Sequence, residues 1–135
     1  MAENIFLEVV TPGTSVVSEE AEIVMAPGSE GEFGVLNGHT TFLTSLKLGT
    51  LRYKDASGKE RALFINGGFA EVLPNKVTVL AESAERRKNI DVDRAKAAKT
   101  RAEERLAKGA EDVDFARAEA ALRRAVQRLA VIETR

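Results

Sequence analysis

Phe115-Ala116-Arg117-Ala118-Glu119-Ala120-Ala121-Leu122-Arg123-Arg124-Ala125-Val126-Gln127-Arg128-Leu129-Ala130-Val131-Ile132 decides how the chain is built. Phe115, Ala118, Leu122, Ala125, Leu129 and Ile132 recur at alternating steps of three and four, which lays one apolar stripe along a helix. Upstream, Ala95, Ala98, Ala102 and Leu106 form a weaker stripe, opened by Asp91 as N-cap and closed by Gly109. Asp112 or Asp114 is placed to cap the second helix. The two helices face each other across Lys108-Gly109-Ala110-Glu111 and predict a hairpin. Its seam is alanine-rich, and a buried methyl contributes only about 0.8 kcal/mol. The hairpin is therefore expected to be marginal, able to fold against the rest of the chain or to open and extend.

Arginines run beside both stripes. Arg94, Arg101 and Arg105 are spaced seven then four, and Arg117, Arg124 and Arg128 repeat that spacing. At about 100° per residue, the arginine line lies about 85° from the apolar stripe in the first helix and about 105° in the second, in the same sense. The two lines are thus expected to border one cationic groove. Guanidinium groups grip phosphate and carboxylate alike, so an anion or an acidic protein surface fits. Solubilising surface arginines are the alternative. Nucleic acid fits less well, because the groove is short, lacks aromatic side chains for stacking, and belongs to a chain with pI near 5.9.

From Asn4 to Ala81 the pattern changes to a period of two, broken by turn residues, as in a sandwich or barrel of short strands. Ile5 to Val10 ends at Thr11-Pro12-Gly13-Thr14. Val16-Val17 and then Ala21 to Ala26 follow, closed by Pro27-Gly28-Ser29. Leu51 to Lys54 and Arg61 to Ile65 flank the turn Asp55-Ala56-Ser57-Gly58, and Phe69 to Leu73 pairs with Val77 to Ala81 across Pro74-Asn75-Lys76. Gly28 to His39 reads as a pair of loops with Glu30 and Glu32 at the tip. Its glycine spacing is neither a dinucleotide fingerprint nor a P-loop. Gly67-Gly68 reads as structural, a place of close backbone approach. Glu82 to Asn89, with Arg86-Arg87-Lys88, reads as a linker.

At 135 residues, 44% hydrophobic and 30% charged, the chain has the composition of a soluble unit with an extension. It contains no cysteine and one histidine, His39, with no partner for a metal site. No serine sits in a nucleophile elbow, and no base, nucleophile or metal cluster accompanies the arginines, so an enzyme is not expected. The N-terminus lacks a signal-peptide pattern and no apolar run is long enough to span a bilayer, so the expected compartment is cytoplasmic, with membrane attachment only through a partner. Residues 1–84 hold six Lys/Arg against eleven Asp/Glu, whereas residues 85–135 hold fourteen against ten. An acidic front and a basic tail make the expected domains 1–84 and 85–135.

Gly28-Ser29-Glu30-Gly31-Glu32-Phe33-Gly34-Val35-Leu36-Asn37-Gly38-His39, Asn66-Gly67-Gly68-Phe69 with Glu71-Val72, Val77-Thr78-Val79-Leu80-Ala81 and Asp112-Val113-Asp114-Phe115 resemble the epsilon subunit of the bacterial F-type ATP synthase over the whole chain. Asn37 and Thr41 depart from it, standing where proline is usual. The resemblance implies a flattened N-terminal β-sandwich of about ten strands followed by an antiparallel two-helix hairpin. It also implies a non-catalytic central-stalk subunit in proton-driven ATP synthesis, held peripherally at the cytoplasmic face of the plasma membrane. The sandwich would link the gamma subunit to the c-ring, with Glu32 and His39 as c-ring contacts. The extended hairpin would meet an acidic segment of the catalytic alpha and beta subunits through Arg105, Arg117 and Arg123 and so inhibit ATP hydrolysis.

Some relatives bind ATP on the compact hairpin through an Ile/Leu-Asp-x-x-Arg-Ala motif, which Ile90-Asp91-Val92-Asp93-Arg94-Ala95 matches. The resemblance then assigns ATP to Glu85, Ile90, Asp91, Arg94, Ala95, Arg101, Arg124 and Arg128, as a regulatory ligand with no cofactor or metal required. A free-standing ATP sensor that needs no complex is the alternative function.

Overall fold

Alternation of apolar and polar side chains produces the strands. In β1 (Ile5–Thr11), Ile5, Leu7 and Val9 are buried while Phe6, Glu8 and Val10 face outward. The computed structural model describes residues 3–109 and 114–134. After β1 come β2 (Thr14–Gly28), β3 (Gly31–Val35), β4 (Phe42–Leu46), β5 (Gly49–Asp55), β6 (Glu60–Asn66), β7 (Gly68–Leu73), β8 (Lys76–Leu80) and β9 (Ser83–Arg86). A 3-10 turn, Arg87–Asn89, leads into α1 (Val92–Lys108), and α2 (Phe115–Glu133) follows. Nine strands thus stand among the described residues where about ten were expected. Asp112, Ala110 and Glu111 lie outside them.

The strands run β1-β8-β7-β4-β2-β5-β6-β9, with β3 on β2 and β1 also paired to β2. β2 joins the two layers of the sandwich: its first half pairs with β1, its second half with β5 and β3. Val16-Val17 and Ala21 to Ala26, expected as separate segments, are parts of this one strand, whose pairing with β5 shifts register between Ala21 and Ile23. The core between the layers includes Ile5, Leu7, Val9, Val24, Val35, Leu51, Leu63, Ile65, Val72, Val77 and Val79. Both expected hairpins form, β5–β6 and β7–β8.

Asp55 holds the first of these turns. One carboxylate oxygen accepts from the Ser57 hydroxyl at 2.7 Å, the Ser57 amide at 3.0 Å and the Lys59 amide at 2.9 Å. The other accepts from Arg61 Nε at 3.1 Å. The Ser57 hydroxyl and then the Lys59 amide dominate in pulling the Asp55 carboxyl down to about 2. Its folded value lies below the unfolded one of 3.8. The stabilisation is therefore fully present above the unfolded value and is lost as pH falls through the folded one. Asp55→Asn is accordingly less stable than the parent at neutral pH, and the difference shrinks between about pH 4 and pH 2. Denaturant midpoints measured across that range check this; a gap independent of pH would refute it.

Two segments differ from expectation. Glu82 to Asn89 is no linker: β9 pairs antiparallel with β6, and its polar side chains have partners on both faces. Gly28 to His39 is not a pair of loops either, because Gly31–Val35 forms β3 against the end of β2. That strand places Glu32 near one end and His39 beyond the other.

The helical hairpin covers the outer face of β5, β6 and β9. Leu63 and Ile65 of β6 point into the sandwich, while Ala62 and Phe64 point out into a second cluster with Ile90 and Val131. The helices pack together with Ala95 and Ala102 of α1 and Ala118 and Ala125 of α2 buried. Phe115, expected to begin the inward stripe, is 50% exposed, whereas Val131, outside that stripe, is fully buried. The reason is that α2 serves two neighbours, α1 and the sheet, so its buried surface is wider than one stripe.

Candidate functional site

Asp91 ends the 3-10 turn's connection and caps α1, its Oδ1 accepting from the Arg94 amide at 3.0 Å. From that start Arg94, Ala98 and Arg101 fall on one helical face, being four and then three residues apart. The small Ala95 and Ala98 leave room beside the two guanidinium groups. Opposite them α2 presents Arg128, β9 presents Glu85, and the 3-10 turn presents Asn89. Glu85, Asn89, Asp91, Arg94, Ala95, Ala98, Arg101 and Arg128 together line a cavity of about 290 Å³.

Arg128 is the best-fixed of the three cations. Its Nε donates to both oxygens of Glu85 at 3.2 Å, and its guanidinium lies 4.3 Å from the centre of the Phe64 ring. Glu85 therefore offsets much of the Arg128 charge. Arg94 and Arg101 are exposed and form no ion pair among the described residues. The anion-attracting end of the cavity is the α1 side, where the helix N-terminus adds its partial positive charge.

Six of the eight side chains expected at an ATP site, Glu85, Asp91, Arg94, Ala95, Arg101 and Arg128, meet in this cavity. Ile90 is buried beneath it with Phe64 and Val131, where it holds the chain between β9 and α1. Arg124 lines a separate cavity of about 370 Å³ with Leu48, Asn66, Ala116, Glu119, Ala120 and Arg123. The single groove expected for both arginine lines is thus divided. Arg105 and Arg117 are exposed and line neither cavity, and Arg123 pairs with Glu119 at 2.7 Å. Sequence reasoning missed Asn89, whose place in a supposed linker gave no signal.

The two residues expected at the c-ring flank β3. Glu32 sits near the β2–β3 turn and accepts from Arg52 at 2.8 Å. His39 lies past the far end of β3, its Nδ1 donating to the Thr40 carbonyl at 2.8 Å and its ring 5.2 Å from that of Phe42. Asn37, in the same loop, donates to the Asn4 carbonyl at 2.9 Å, and the Gly38 amide reaches Pro74 O at 2.6 Å. The asparagine thus ties down a loop where the resemblance would place proline.

Comparison with known proteins gives a consistent result. The family model for the ATP synthase delta/epsilon chain beta-sandwich domain matches residues 4–87, and that for the delta/epsilon long alpha-helix domain matches residues 88–133. The ATP synthase epsilon chain of Desulforapulum autotrophicum is 78% identical over 135 residues, 100% of both chains. That of Desulfatibacillum aliphaticivorans is 71% identical over 106 residues, 78% of this chain and 75% of the relative. A chain in the OSCP/F1/c-ring structure of the Euglena gracilis mitochondrial ATP synthase is similar with a TM-score of 0.68 at 25% identity, covering 96% of this chain and 78% of that one. A chain of the Tetrahymena thermophila mitochondrial ATP synthase central stalk and c-ring shares the fold, with a TM-score of 0.58 at 16% identity and coverage of 98% and 96%.

Proposed function

The chain belongs to the ATP synthase delta/epsilon family as a non-catalytic epsilon chain, and from this premise we propose that it is a rotor subunit whose compact helical hairpin senses ATP. The sandwich links gamma to the c-ring, with Glu32 and His39, which flank the exposed strand β3, as its contacts there. No helix among the described residues is long and apolar enough to cross a membrane, which supports peripheral attachment through the complex. On opening, the hairpin presents Arg105, Arg117 and Arg123 to acidic surface on the catalytic subunits and blocks hydrolysis.

The observation that carries the ATP reading is the convergence of Glu85, Asp91, Arg94, Arg101 and Arg128 from three separate elements on one cavity. Its volume of about 290 Å³ takes part of a nucleotide and leaves the remainder at the mouth. Electrostatics orient the ligand. The triphosphate lies toward the uncompensated Arg94 and Arg101, while the base and ribose lie toward Glu85, because a carboxylate repels phosphate. ATP bridges α1 to the sandwich in this pose and so favours the compact state over the extended one.

Titration of the isolated protein with ATP by calorimetry tests the site. Arg94→Ala weakens binding about tenfold or more, the loss of a charge-assisted contact, whereas Arg117→Ala changes it less than about twofold. Equal losses would replace a defined site with diffuse charge. Co-purification with gamma tests the rotor role, since a free-standing sensor elutes alone.

A further inference from the structure

β9 has two working faces. In an antiparallel pair, residues directly opposite project to the same side. Glu85 lies opposite Phe64 and projects outward to Arg128, while Arg86 lies opposite Leu63 and projects into the sandwich. There Arg86 Nε donates to the Val16 carbonyl at 3.0 Å, and Nη1 donates to the Tyr53 hydroxyl at 3.3 Å. The Tyr53 hydroxyl in turn donates to Glu19 at 2.6 Å. Tyr53 is 2% exposed, and burial together with the Glu19 carboxylate pushes its hydroxyl up to about 12. β9 is a four-residue edge strand with one sheet neighbour, so its ladder alone fixes it weakly.

We infer that the Glu19–Tyr53–Arg86 chain is a positioning device for the nucleotide cavity, holding β9 so that Glu85, Asn89 and Asp91 line it. None of the three touches the cavity. They act through the strand: Arg86 is the residue before the 3-10 turn, and only five positions separate it from the cap of α1. Fastening Arg86 to β2 and β5 makes the short segment 83–91 an extension of the sandwich, and its outward side chains inherit that rigidity. The inference rests on the nucleotide reading of the cavity for its effect on binding, but its structural half does not.

Tyr53→Phe on the full chain tests it, because this change keeps the buried ring and removes only the hydroxyl. Amide exchange of residues 83–91, without ligand, rises relative to β1 and β8; unchanged exchange there overturns the inference whatever the cavity binds. Titrated with ATP, Tyr53→Phe binds roughly five- to tenfold more weakly. Val72→Ala, which loosens the sandwich at β7, away from β9, leaves affinity within about twofold. Added to Glu85→Gln, Tyr53→Phe causes less than its full separate loss, as expected if the hydroxyl acts through Glu85 together with Asn89 and Asp91. Fully additive losses, or an equal loss in Val72→Ala, would show general destabilisation and sink the proposal. If the parent protein fails to bind ATP, the nucleotide reading falls, and the exchange result alone decides the positioning role.

Discussion

Gly68→Ala lowers the stability of the sandwich by about 3–5 kcal/mol, the largest effect expected of any single methyl group in this protein. Gly68 opens β7 at φ 109°, a conformation that L side chains rarely adopt. Space forbids the change as well. A Cβ at this position would collide with the carbonyl oxygen of Leu80 and stand 2.8 Å from the Ala81 Cα, both backbone atoms of the adjoining strand end. Relief requires moving β7 away from β8, which breaks the pairing of Phe69 with Leu80 and loosens buried Ala70 and Val79 behind it. Thermal unfolding checks this as a midpoint drop well above 10 °C, at about 4 °C or more per kcal/mol for a domain of this size. Gly31→Ala is the control: its φ is also positive, but a Cβ there meets nothing within 4 Å, so it carries the backbone strain without the collision. If the two variants melt together, close approach at Gly68 is not what that glycine serves.

Arg128→Ala weakens ATP binding about a hundredfold, close to 2.7 kcal/mol, and loosens the hairpin from the sandwich even without ligand. Two interactions vanish together. The pair with Glu85 is partly screened, its side chains being 26% and 35% exposed, and contributes about 1 kcal/mol. The guanidinium over Phe64 adds about another 1 kcal/mol. Truncation also leaves the Glu85 carboxylate alone in the cavity, where it repels phosphate, so the cost to binding exceeds the cost to docking. Gln127, donating to Thr50 at 2.8 Å, remains as the other polar tie between α2 and the sheet and keeps the hairpin from falling away. Calorimetry with ATP and amide exchange of α2 in the free protein separate the two effects. Arg128→Lys restores charge without the flat fork, and recovers less than half the lost binding energy. Unaltered affinity in Arg128→Ala would remove this residue from the site.

Much of the fold was legible because strand and helix periods are local. Ile5, Leu7 and Val9 announce β1 by alternation, and the Asp55 and Pro74 turns mark their hairpins without reference to anything distant. One further signal lay in plain view. Ala62-Leu63-Phe64-Ile65 is an unbroken apolar run inside a sheet of alternating strands, as expected where both faces are covered. Reading it so would have placed the hairpin on β6. β9 was illegible by contrast, because Glu85 and Arg86 are polar and find their partners on β2, β5 and α2, far away in the chain.

The candidate site divides along the same line. Sequence by itself determined that Arg94 and Arg101 share a face of α1, since helical geometry alone aligns residues seven apart, and that Asp91 caps the helix beneath them. Only the tertiary structure decided which arginine of α2 joins them. Arg124 and Arg128 differ by one helical turn and about 40° of rotation, and their spacing gives no reason to choose. The choice is made by how α2 rolls against the sheet when Val131 settles between Phe64 and Ile90, carrying Arg128 onto Phe64 and Glu85 and leaving Arg124 beside Leu48 and Asn66. That roll is the sum of many weak non-local contacts, and no short stretch of sequence contains it.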